Sequence, residues 1–202
     1  MTTRPGFPWS WIPNSLVRRR AERGVQLTFD DGPHPIHTRA VLERLAKWNV
    51  KAIFFVVGKF ADKHPDVLRE IATAGHEIGN HTYSHEVASV WALRAVTDDV
   101  RRCHAAIERE CGVPPKWFRP PLGRVNVATL TAAARCGYRT MNWSLDSNDW
   151  RCRTSDDAEK CAEAVLREVR PGDTLLLHDC HEWIAPILDR VLPLLLAEHA
   201  LK

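Results

Sequence analysis

The sequence of 202 residues has no apolar run near the roughly 20 residues that a membrane-spanning helix needs, so no transmembrane segment is expected. It also lacks a basic run interleaved with aromatics. The 28 basic and 25 acidic side chains leave a net charge of only +3, too little to argue for a nucleic-acid partner. The Arg18-Arg19-Arg20 triplet reads as a solvated face. Met1 to Asn14 holds Pro and Trp but no apolar core of a signal peptide, and the three arginines lead into Ala21-Glu22-Arg23. A cytoplasmic protein is therefore expected, unless a leader has been removed. The six cysteines show no C-x-x-C pair, which in a chain this long favours free thiols over a disulfide framework. No repeat, low-complexity segment or linker divides the chain. The expected organisation is an irregular lead-in over 1–22, with a short helix near Ser15–Glu22, followed by one folded domain over 23–202.

What is present is an ordinary globular composition, 45% hydrophobic and 26% charged. Eight tryptophans are the oddity. Indole faces stack on sugar rings as well as on core side chains; core packing accounts for most of them, Trp9 and Trp11 included. Strand and helix patterns alternate along the chain. Strands are expected at Val25–Phe29, Ala52–Val57, Glu77–Gly79, Trp117–Phe118, Tyr138–Trp143 and Asp173–Leu177. Helices are expected at His37–Asn49, Ala61–Ala74, Ala88–Glu110 with an interruption near Thr97, Val127–Arg135, Ser155–Val169 and Glu182–Glu198. That alternation means parallel strands joined by right-handed crossovers, hence an α/β sheet or barrel. About six strands fall short of a regular eight-fold barrel.

Polar clusters follow the expected strands. Gln26-Leu27-Thr28-Phe29-Asp30-Asp31-Gly32-Pro33 runs a strand into two adjacent carboxylates and a Gly-Pro break. Neighbouring side chains on an extended chain point to opposite sides. Two like charges this close call for a cation nearby, so a metal or an arginine is expected, with unequal roles for Asp30 and Asp31. His81 and His85 are four apart in Asn80-His81-Thr82-Tyr83-Ser84-His85, and one helical turn would set both imidazoles on one face to ligate a divalent cation. Asp31 completes a set of two histidines and one carboxylate. Arg119, before Pro120-Pro121-Leu122-Gly123, is the candidate cation for a carboxylate. Asp146-Ser147-Asn148-Asp149-Trp150 forms a further cluster, and the apolar strand ending at Leu177 delivers His178, a candidate titrating acid. Each cluster alone could be a solvated turn, a surface pair or a core histidine. All of them at strand ends together point to one site.

These motifs resemble the polysaccharide deacetylases, carbohydrate esterase family 4 or the NodB-homology domain, over roughly residues 24 to 200. Thr28-Phe29-Asp30-Asp31-Gly32, His81-Thr82-Tyr83-Ser84-His85, Arg119-Pro120-Pro121-Leu122-Gly123, Asp146-Ser147-Asn148-Asp149-Trp150 and Leu176-Leu177-His178 match five family motifs in order. The resemblance implies a distorted (β/α) barrel with fewer than eight strands and a single catalytic domain over 23–202. It implies that Asp31, His81 and His85 bind a divalent metal, usually zinc, with cobalt or another divalent ion also accepted. It implies that Asp30 is the general base held by Arg119, and that His178 is the general acid tuned by Asp149. Trp150 and Leu176 would wall the pocket for the acetyl methyl, and Thr82 would fix the metal-binding loop. Leu122 stands where many relatives carry Tyr; its backbone N–H would still serve the oxyanion hole, while any contact of the aromatic ring is lost. The implied partner is an N-acetylated carbohydrate, deacetylated with release of acetate. Two other readings stay open: a metal-dependent amidohydrolase or O-acetyl esterase on a different substrate, and a non-catalytic carbohydrate-binding scaffold. The sequence does not select the polymer or the oligomeric state.

Overall fold

The computed structural model describes residues 16–17 and 24–198; Trp9, Trp11 and Arg18-Arg19-Arg20 lie outside them. The strands are β1 (Leu16–Val17), β2 (Gln26–Asp30), β3 (Ile53–Val56), β4 (Glu77–Asn80), β5 (Trp117–Phe118), β6 (Arg139–Met141), β7 (Leu145–Asp146) and β8 (Thr174–His178). The helices are α1 (His37–Lys47), α2 (Gly58–Lys63), α3 (Pro65–Thr73), α4 (Leu93–Cys111), α5 (Val127–Arg135), α6 (Ser155–Glu168) and α7 (Ile184–Glu198). The strands form one parallel sheet in the order β1-β6-β5-β4-β3-β2-β8-β7. Seven of them make a curled half-barrel with helices, the distorted (β/α) architecture expected from the motifs. Leu16–Val17 adds an eighth strand at one edge. Every residue of β2 and β3 is buried. Accordingly β3 reads as a continuous apolar run, whereas β2 alternates Leu27 and Phe29 with the buried polar Gln26 and Thr28.

Several local expectations need correction. Leu16–Val17 pairs with β6 as strand, not as part of a helix; the rest of that expected helix lies outside the described residues. Leu145–Asp146, outside every expected strand, is strand β7, paired with β8. The helix expected over 61–74 is two helices. Pro65 bars a helical conformation at His64 (φ −131°, ψ 59°) and itself opens α3. Helix α4 starts at Leu93, later than expected, and runs through Thr97 without a break. There the Thr97 hydroxyl donates to the Leu93 carbonyl at 2.6 Å, satisfying itself inside the helix.

The parallel register brings the polar strand ends to one rim. Asp30 pairs with His178, Asn80 with Phe118 and Asp146 with Leu176. Ligand and catalytic groups of α/β folds gather at this carboxyl end. One glycine matters to the floor beneath it. A Cβ on Gly79 would lie 2.5 Å from the Phe55 ring. Only a glycine lets that ring lie against β4, and the ring in turn carries the Arg119 guanidinium 4.0 Å from its centroid.

Candidate active site and metal centre

Asp30 and Asp31 separate because the chain turns between them. Asp30 is the last residue of β2 and is buried. Asp31 takes a left-handed conformation (φ 73°) and is partly exposed. Arg119 is fully buried, and its Nη1 donates to Asp30 Oδ1 at 2.6 Å and to the Thr28 hydroxyl at 3.0 Å. Its Nε donates to the Met141 carbonyl at 3.0 Å. Burial pulls this guanidinium below its ordinary pKa and Asp30 opposes the shift. The paired, hydrogen-bonded arrangement is what makes two buried charges tolerable.

His81, His85 and Asp31 each aim one ligand atom at a common point, all within 4.8 Å of one another. His81 Nε2 lies 3.4 Å, and His85 Nε2 3.0 Å, from Asp31 Oδ1. Ligands at the corners of a tetrahedron with zinc-like bonds of about 2.0–2.2 Å would be about 3.3–3.6 Å apart. Asp31 Oδ1 is buried and has no hydrogen-bond partner, as a metal-ligating oxygen would be left. Burial pushes the Asp31 carboxyl up, but the two imidazoles override it and hold it well below the usual carboxylate range. His81 Nδ1 meets the Arg119 carbonyl at 2.7 Å, which frees Nε2 and fixes the ring. The donor set fits a divalent cation.

The histidine pair is not on a helical turn, contrary to the spacing argument. Residues 81–85 form a loop, with Thr82 (φ 66°) and His85 (φ 63°) left-handed. Side chains replace the helical ladder. Thr82 N–H donates to Asn80 Oδ1 at 2.9 Å, and His85 N–H to Thr82 Oγ1 at 3.1 Å. The loop, not helical periodicity, brings the two rings to a centroid separation of 4.9 Å.

On the opposite wall His178 Nδ1 meets Asp149 Oδ1 at 2.7 Å, and its backbone N–H donates to Asp149 Oδ2, also at 2.7 Å. Asp149 is fully buried. Burial alone would depress the His178 pKa; the bond and charge of Asp149, with Asp30 and Asp31, override it and push it up to about 9. Burial likewise opposes the Asp149 charge, and the imidazoles hold its carboxyl well below the usual range. His181, missed from the sequence, places a second imidazole on Asp149, with Nε2 at 3.2 Å from Oδ2. Its position three residues after His178 carried no strand or motif signal.

These groups line a cavity of about 210 Å³ with Leu122, Trp143, Asp146, Trp150 and Leu176. Leu122 is 62% exposed and left-handed (φ 54°) within a single 3₁₀ turn over Pro121–Gly123. Trp150 is 49% exposed, whereas Leu176 is buried. Of the residues singled out from sequence, Asp30, Asp31, His81, His85, Leu122, Trp150, Leu176 and His178 line the cavity, Arg119 and Asp149 bond Asp30 and His178, and Thr82 lies in the histidine loop. Trp143 and Asp146 join them without having been given roles; burial raises the Asp146 carboxyl above its ordinary value. Next in the chain to His178, Asp179 is buried, accepts from the Thr38 hydroxyl at 2.5 Å, and is pushed by burial up to about 7.

Residues 18–141 match a family model described as polysaccharide deacetylase. A chitooligosaccharide deacetylase of Sinorhizobium fredii is 40% identical over 156 residues, covering 77% of this chain and 71% of the relative. A peptidoglycan-N-acetylglucosamine deacetylase of Bacillus cereus is 33% identical over 196 residues, covering 91% and 70%. The solved structure of a peptidoglycan deacetylase from Bacillus subtilis superposes with a TM-score of 0.81 at 27% identity, covering 89% of this chain and 86% of that one.

Proposed function

Since the chain belongs to the polysaccharide deacetylase family, we propose that it is a metal-dependent hydrolase that removes acetyl groups from N-acetylglucosamine residues of a glycan and releases acetate. The observation that carries this reading is the convergence of Asp30–Arg119, Asp31–His81–His85 and Asp149–His178 on one cavity. Asp31, His81 and His85 would hold the cation, with zinc the expected ion and cobalt an alternative. Such a cation supplies Lewis acidity and can lower the pKa of water from about 15.7 towards 7.

The protein's own groups do the rest. Asp30, oriented by Arg119, takes a proton as water attacks the acetyl carbonyl carbon. The Leu122 N–H stabilises the developing oxyanion; one such donor is typically worth about 3–4 kcal/mol. The amine is a poor leaving group, so His178 gives it a proton as the carbon–nitrogen bond breaks. Asp149 keeps His178 in the charged form that can do so. Acetate and a free amino sugar leave. Leu176 and Trp150 close an apolar wall against the acetyl methyl.

The test is acetate release by the zinc-loaded protein from chitooligosaccharides, N-acetylated peptidoglycan and O-acetylated xylan. Acetate from an N-acetylated glycan with a new free amine supports the proposal. Acetate from the ester alone, or formate or ammonia from other amides, would move the assignment to an esterase or a different amidohydrolase. Glycan binding with no acetate released would make it a scaffold.

A further inference from the structure

The loop that presents His81 and His85 is tied to the fold by a carboxylate outside the cavity. We propose that Asp99 is a positioning residue for the metal centre, holding the Asn80–His85 loop in the shape that aims both imidazoles at Asp31. The inference rests on the reading of Asp31, His81 and His85 as metal ligands.

Asp99 lies on α4, which contributes no side chain to the cavity. Its Oδ2 accepts three hydrogen bonds from the middle of the loop: from the Tyr83 N–H at 3.0 Å, the Ser84 N–H at 3.2 Å and the Ser84 hydroxyl at 3.2 Å. Bonds to an ionised acceptor are the stronger kind. They fall midway between the two left-handed residues, Thr82 and His85. A β-branched residue such as threonine rarely takes that conformation, and it persists only where the surroundings over-determine it.

The carbonyl edge of the same loop is held from the other side by α2. Gly58 N–H donates to the Thr82 carbonyl at 2.9 Å and Lys59 N–H to the Tyr83 carbonyl at 3.0 Å, while Lys59 Nζ reaches the Ser84 carbonyl at 3.0 Å. The loop is thus clamped between a carboxylate on α4 and the first turn of α2. Asn80 and Thr82 close its ends. Removing Asp99 frees the donor edge while leaving the carbonyl edge fixed. The loop can then twist, and His85, at its far end, moves relative to His81, which the Arg119 carbonyl still holds.

The experiment titrates zinc into metal-stripped protein, read by competition with a chromophoric chelator, for the wild type, Asp99→Ala and Asp99→Asn, with the thermal midpoint of each apoprotein recorded. Loss of an outer-shell partner costs about 10–100-fold in metal affinity, and that is the loss expected for Asp99→Ala. In Asp99→Asn the amide oxygen still accepts, without the charge, so the expected loss is smaller, about 3–10-fold. An Asp99→Ala protein with a lowered midpoint but wild-type zinc affinity would show a purely structural role and overturn the proposal. Should Asp99→Ala fail to fold, wild-type affinity in Asp99→Asn would overturn it equally. A wild-type protein that binds no zinc sinks the metal-ligand reading, and this proposal with it. Wild-type binding with insensitive variants sinks this proposal alone.

Discussion

Asp30 and Asp31 are adjacent in the chain and chemically unlike. One ends a strand against a buried arginine, and the other turns left-handed towards two imidazoles. Their exchange for asparagine should therefore have different effects. Asp30→Asn is expected to retain zinc binding while turnover falls by about 10²–10⁴-fold, the usual worth of a general base. Equilibrium dialysis together with acetate release checks both halves, and a near wild-type rate would remove Asp30 from the role. His178 must be protonated to act as an acid, so activity is lost as pH rises through its pKa. Asp149 raises that pKa. Asp149→Asn should then move the basic limb of the kcat profile downward by about 1–3 units, whereas an unmoved limb would rule the pair out as its source. The same sign applies to stability. A histidine raised to about 9 from an ordinary 6.5 contributes fully below pH 6.5 and loses that contribution as pH climbs through 9. At this scale the sequence was legible wherever a polar residue followed an apolar strand. His181 and Asp99 were not, because the partner of each is set only by the folded chain.

Elements place these residues, and here legibility depended on length. Strands β2, β3 and β8 are long and buried enough to declare themselves. Two-residue strands such as β1 and β7 have no period to detect, so no strand is expected at either from sequence. The His81–His85 spacing suggested a helical turn because i,i+4 is the helical interval. The loop reaches the same convergence through Asn80, Thr82 and Asp99, a solution that spacing cannot reveal. Strand β4 also carries a steric requirement. A Cβ at position 79 would lie only 2.5 Å from the Phe55 ring beneath Arg119. Gly79→Val is expected to cost about 1–3 kcal/mol by overpacking and to lower kcat by displacing the Arg119–Asp30 pair. Urea denaturation and steady-state kinetics measure the two effects; a destabilised but fully active variant would break the link between this packing and the base.

For the molecule as a whole, the alternation of strands and helices announced the architecture, since parallel strands require crossovers. What alternation could not give was the sheet order, in which β6 and β7, neighbours in sequence, are not paired. A metal held between the end of β2 and the loop after β4 would bind only the folded chain, so its free energy would add to global stability. At a free zinc concentration 100 times Kd the gain is about 2.7 kcal/mol, or about 5–10 °C in the thermal midpoint of a chain this size. Calorimetry with and without zinc tests this, and Asp31→Asn should shrink the shift. Chelation should abolish acetate release and zinc or cobalt should restore it; full activity in chelator would exclude metal dependence.

The pairing of Asp30 with His178 in adjacent parallel strands has a further consequence. The proposed base and acid are set by backbone register, whereas Trp150 and Leu122 of the cavity wall ride on short turns outside the strands. The proposed base and acid are therefore fixed by the sheet, while the proposed acetyl wall at Trp150 shares its turn with Asp149. On the proposed reading, loop changes that spare Asp149, His81 and His85 would retune which glycan is admitted while the Asp30–His178 register is kept. For an engineer, loop libraries on this scaffold would sample new substrates without having to rediscover the chemistry.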